Sequence, residues 1–98
     1  MKMVMIVIDE DKREELGVFL NRTGAHGYTE ISRAAGVGAS GPRLGSRAFP
    51  KTSAVVFTVL DEDALATLKA GVDEFCATCG ERLKMFAWDA YQLHPSEL

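Results

Sequence analysis

Cysteine is scarce in this sequence: Cys76 and Cys79 are the two in 98 residues. That count excludes a secreted scaffold stapled by several disulfides and suits a reducing compartment. Long apolar runs are missing too. The amino terminus, MKMVMIVIDED, has an apolar run at residues 3–8 that ends at once in acids, too short for a secretory signal or a membrane span. A cytoplasmic protein with no direct membrane insertion is expected. Basic residues are the minority charge, eleven against fourteen acids, for a net −3. Such a balance does not wrap a phosphate backbone, so nucleic acid is excluded as a general partner. Histidine stands only at positions 26 and 94, and no nucleophile, base and orienting acid fall into a catalytic arrangement. The protein is therefore read as a non-enzyme, with a small enzyme assembled across subunits kept as a lesser alternative.

What is present is an ordinary globular composition, 47% hydrophobic and 26% charged. It fits a single domain over residues 1–98 with a modest core. Residues 3–8, MVMIVI, are apolar at both parities and predict a strand covered on both faces. Asp11 and Glu14 have capping-box spacing, and Leu16, Phe19, Leu20 and Thr23 follow at helical intervals up to Gly24. Residues 28–33 give a weaker strand signal, while SAVVFTVL at 53–60 gives a clear one. Asp61 caps a second helix with the stripe Leu65, Leu68, Val72, Phe75, Cys76 and Cys79, and Gly80 is placed to stop it. A last strand lies within 83–93, where Phe86 and Trp88 share a face and are expected to fill core.

The order of elements is βαββαβ, with a long loop between the second and third strands. This predicts an α+β, ferredoxin-like antiparallel sheet with two helices on one face. Two helices cover one face only, yet the first and third strands are apolar on both. A monomer would leave a hydrophobic sheet face bare, which predicts self-association. An RNA-recognition module shares this order of elements, but SAVVFTVL offers one aromatic where that module presents a stacking platform.

The loop, GVGASGPRLGSRAFPK at 36–51, contains four glycines, two prolines, three cations and no acid. Residues 36–52 thus carry +3 on a body of −6, a flexible cationic arm on an acidic domain. Arginine forks suit carboxylate, phosphate or bicarbonate oxygens, which makes Arg43, Arg47 and Lys51 candidate ligands of a small anionic effector. The glycine spacing matches neither phosphate-binding fingerprint. Cys76 and Cys79, three apart, share a helix face and either pack as small hydrophobes or bind a soft metal with help from His26, His94 or a neighbouring subunit. A metal-binding or metal-responsive protein is the alternative reading. Their place at a helix carboxyl end opposes thiolate formation and argues against a redox pair.

The segment GAHGYTEISRAAGVG, through Gly24, Gly27, Thr29, Gly36 and Gly38, resembles the passage of nitrogen-regulatory PII signalling proteins from first helix to mobile T-loop. FAWDA at 86–90 is similar to the last strand of that family. The resemblance implies a homotrimer of ferredoxin-like subunits with small effectors in clefts between neighbours. It also implies a T-loop that changes shape to regulate a partner protein, such as a membrane transporter. Adenine nucleotides bind at the T-loop base in that family, so the resemblance places Thr29, Gly36 and Gly38 in the cleft. Four departures stand beside it. From Thr29 to the glycine pair the chain has one residue more than the family pattern. CATCGERLK replaces a glycine- and lysine-rich phosphate-gripping loop, Tyr91 to His94 replace a basic pair, and no tyrosine lies between positions 36 and 51.

Overall fold

The first strand, β1, runs Lys2–Asp9 and alternates strictly over most of its length: Val4, Ile6 and Ile8 are buried, whereas Met3, Met5 and Val7 are half-buried. The structure, a computed structural model, describes residues 1–25, 27–79 and 83–94, without the side chains of Thr78 and Cys79. After β1 come a 3₁₀ turn, Glu10–Lys12, and helix α1, Arg13–Arg22. Strands β2 (Thr29–Ala34), β3 (Gly36–Gly38), β4 (Gly41–Arg43) and β5 (Ser53–Leu60) follow, then helix α2 (Glu62–Cys79) and strand β6 (Lys84–Asp89).

β2, β5, β1 and β6 form one sheet in that order, with every neighbouring pair antiparallel. This is the expected ferredoxin-like arrangement. Leu16 and Leu20 of α1 and Leu68 and Phe75 of α2 pack on Val4, Ile6, Ile8, Ala54, Val56 and Leu60. Each fully buried branched side chain there contributes about 1.5–3 kcal/mol by leaving water. The helices meet through the stacked rings of Phe19 and Phe75, centroids 4.8 Å apart. As expected, Asp61 caps α2, accepting the Ala64 amide at 2.8 Å. No described helix is long and apolar enough to cross a membrane.

The opposite face is bare. Met5 lies between Phe57 and Phe86, and Met3 between Val59 and Trp88, so cross-strand register gathers these side chains into one patch. Ile31, opposite Val55, extends it across β2. Phe86 is 55% exposed and Trp88 46% exposed. The core role expected of them is corrected: β6 is an edge strand paired in register with the outward-facing methionines, so both rings lie away from the helices.

Two further expectations differ from the structure. The Asp11–Glu14 capping box is absent; Lys12 occupies the cap of α1 without a side-chain bond. Asp9 acts earlier, accepting the Asp11 amide at 2.9 Å and starting the 3₁₀ turn instead. The loop is also not wholly irregular, because β3 and β4 pair as a short hairpin, Gly36 with Arg43 and Gly38 with Gly41. Gly41, at φ +105°, takes a conformation that residues with a β-carbon rarely adopt and returns the chain after Ala39 and Ser40.

Candidate functional site

At the end of β1 the register pairs Asp9 with Ser53, the first residue of β5. The ladder runs one step further, with the Glu10 amide donating to the Thr52 carbonyl at 3.2 Å. Two consecutive carboxylates therefore stand where both ends of the 36–52 loop leave the sheet. Asp9 is buried, 8% exposed. Arg43 folds back from the hairpin onto it: Nη2 donates to Asp9 Oδ2 at 2.5 Å and to the Thr52 carbonyl at 3.2 Å, while Nε donates to Ser53 Oγ at 3.2 Å. Lys51 Nζ lies 3.6 Å from the same Asp9 oxygen.

Glu10 fastens the two stems. Its Oε1 accepts from the Arg33 amide and, at 3.1 Å, from the Thr52 hydroxyl. Its Oε2 accepts from Arg13 Nη1 at 3.5 Å. Arg33 has φ +58°, a left-handed conformation uncommon for a side-chain-bearing residue, at an irregularity in the β2–β5 register. The Glu10 carboxylate is what catches the amide turned outward there. Gly45, at φ +65°, is equally constrained, since a β-carbon would lie 2.9 Å from Thr52 Cγ2.

Burial alone would raise the Asp9 pKa, but the Asp11 amide, the Arg43 guanidinium and the Lys51 ammonium together hold it below the ordinary 3.8. A depressed carboxyl stabilises the fold above its unfolded-state pKa, and that contribution disappears as pH falls through the lower folded value. The melting-temperature advantage of the unsubstituted chain over Asp9→Asn should be full near pH 6 and shrink once the pH drops below about 4. A difference that grew on acidification would contradict the ion pair.

Two cavities flank this cluster and Asp9 lines both. The larger, about 680 Å³, is walled by the hairpin residues Gly36 and Gly38 with Arg43, Ser53 and Lys84. The smaller, about 370 Å³, has Glu10, Asp11, Arg33, Lys51 and Thr52 on its wall. Of the residues singled out in the sequence, Gly36, Gly38, Arg43 and Lys51 come together here. Thr29 does not; it pairs with Phe57, four positions along β5 from the loop base. Arg47 sits exposed on a separate turn closed by Leu44 and Ser46 amides donating to the Phe49 carbonyl. Cys76 is half-buried beside Phe75, whereas the Cys79 side chain and His26 lie outside the described residues. Among the described residues, no three histidine, cysteine or carboxylate side chains converge so that they could hold a metal ion. Asp9, Glu10 and Ser53 were missed because an acid after a strand reads as a helix cap. The available signal was charge: an acid trio adjoining a strand, in a chain whose loop has cations and no acids.

The model of the family described as nitrogen regulatory protein P-II matches residues 1–94. The chain belongs to the P-II family. None of the curated proteins matches it. Among solved structures, this P-II chain is similar to CPII, a nitrogen regulatory PII-like protein from Thiomonas intermedia K12 bound to ADP, AMP and bicarbonate. The TM-score is 0.69 at 19% identity, over 89% of this chain and 84% of that one. A PII-like signalling protein from Thermus thermophilus gives 0.61 at 22% identity, covering 89% and 83%. A DUF3240 family protein from Shewanella baltica OS155 gives 0.68 at 12% identity, covering 98% and 97%. At these identities the likeness establishes the fold. The Asp9–Arg43 cluster lies at the base of the 36–52 loop, between β2 and β5.

Proposed function

We infer that this P-II protein is a non-catalytic regulator that assembles through its bare sheet face as a homotrimer. A small anionic effector binds at the T-loop base in clefts between neighbours, and the loop carries the result to a partner protein, of which a membrane transporter is one class. The observation that carries this reading is the convergence of Arg43 and Lys51 from the loop on a single buried carboxylate beside an open cavity. Loop cations held by an ion pair, rather than spread in solvent, form an element with two arrangements, docked on β1 or released. An effector that binds one arrangement better shifts the loop toward it. Gly36 and Gly38 bring backbone to the cavity wall, Arg43 and Lys51 supply charge, and Arg47 at the exposed turn suits contact with the partner. The adenine nucleotides and bicarbonate bound by CPII make both classes the first to test.

A thermal-shift panel of ATP, ADP, AMP, bicarbonate, 2-oxoglutarate and divalent metals tests the reading, since a ligand selective for the folded state raises the melting temperature by mass action. At least one anion should stabilise the protein, and Arg43→Ala should weaken its binding about tenfold or more, as loss of a charge-assisted bond implies. No shift with any anion, or an unchanged affinity in Arg43→Ala, would remove the loop base as the effector site.

A further inference from the structure

We propose that the Asp9 carboxylate is a tethered competitor for the effector, and that the effector is a planar, singly charged oxyanion that replaces it on Arg43 and Lys51. The proposal rests on the loop-base reading above and names the ligand chemistry and the residue that sets its affinity.

The carboxylate of Asp9 divides its work between its two oxygens. Oδ1 accepts the Asp11 amide that starts the 3₁₀ turn, while Oδ2 alone receives Arg43 Nη2 and faces Lys51 Nζ. Loss of the Oδ2 contacts leaves the turn capped. The cations that meet there are both on the loop, whereas Asp9 is on the central strand, so exchanging Asp9 for a free anion preserves the charge-assisted bonds but removes the loop's ionic tie to β1, leaving the Arg43 bonds to Thr52 and Ser53. A guanidinium fork suits a trigonal, planar oxyanion, and a carboxylate already occupies the position.

Charge sets the valence. With Asp9 displaced, Arg43 and Lys51 face the ligand, and the adjoining cavity adds Arg33 against the two acids Glu10 and Asp11, a negative balance. Those acids oppose a di- or triphosphate, while a monoanion restores the balance that Asp9 provided. Access is available, since the Lys51 side chain is 64% exposed and that of Arg43 24%. A tethered group competes at an effective concentration in the millimolar range. Asp9 therefore keeps the apparent affinity low, and the loop's ionic tie to β1 gives way only when the anion is abundant.

The test is calorimetric titration of sodium bicarbonate, with inorganic phosphate as a second probe at matched ionic strength, into the unsubstituted protein, Arg43→Ala, Asp9→Asn and the double variant. Asparagine keeps the cap of the 3₁₀ turn. Asp9→Ser, another good capping residue, replaces it should the asparagine variant melt below the working temperature. Asp9→Asn should bind bicarbonate at least about tenfold more tightly than the unsubstituted protein, and Arg43→Ala should erase that gain. Equal or weaker binding by Asp9→Asn, with Arg43→Ala still impairing the parent, would overturn the competitor and leave the loop-base site standing. Absence of binding in both parent and Asp9→Asn would overturn both. Phosphate bound more tightly than bicarbonate by Asp9→Asn would overturn the planar monoanion.

Discussion

Phe86→Glu should disperse the assembly into single chains while leaving each chain folded. Phe86 is already 55% exposed within one subunit and packs on none of the buried core, so a glutamate there remains hydrated in the isolated chain. In an assembly that closes the bare face, the same carboxylate is stripped of water against Met5 and its neighbours without a counter-charge. The penalty is several kcal/mol per ion after relaxation. Even about 3 kcal/mol per subunit raises the half-dissociation concentration more than a hundredfold, at tenfold per 1.4 kcal/mol. Light scattering at micromolar concentration reads the loss of mass, and circular dichroism checks the fold. Trp88, two residues along the same strand face, serves as a local reporter whose emission should shift to the red as water reaches it. An undiminished mass would show that the bare face carries no assembly.

Glu10→Ala should release the loop. One carboxylate accepts from the Arg33 amide, the Thr52 hydroxyl and Arg13, on three separate parts of the chain. Hydrogen bonds to a charged acceptor contribute about 1.5–3 kcal/mol, and the Arg33 amide has its bond in a backbone conformation that offers no ladder partner. When opening and closing are fast relative to cleavage, proteolysis follows the population of the open form. Trypsin cleavage after Arg43, Arg47 and Lys51 should then accelerate by about 10- to 100-fold, at tenfold per 1.4 kcal/mol. Cleavage after Lys69, inside α2, should not change. Equal acceleration at Lys69 would indicate global destabilisation, and no acceleration at the loop would show that Glu10 does not hold it.

The sheet and helices were legible in the sequence because burial writes itself as periodicity. Leu16 and Leu20 repeat at a helical interval, and β1 and β5 show hydrophobic residues on both faces, one covered by the helices and the other bare in the single chain. Phe86 and Trp88 were misassigned for the same reason: an aromatic pair on one strand face announces burial but does not say against what. The site was half legible. Arg43 and Lys51 stood out as cations on a glycine-rich loop, yet their partner did not, since pairing Asp9 with Arg43 joins residues 34 positions apart. Only the sheet register, which sets Ser53 beside Asp9, brings the loop's return within reach.

Strand β1 has a double duty with a thermodynamic corollary. In the proposed homotrimer its outward methionines belong to the contact surface among copies, while its last residue, Asp9, grips the 36–52 loop through Arg43. Whatever loosens that grip alters the end of the strand on which subunit contact depends, and reciprocity requires the converse in equal measure. Dilution would then act on this molecule as a signal in its own right, so that cellular abundance and effector level are read together.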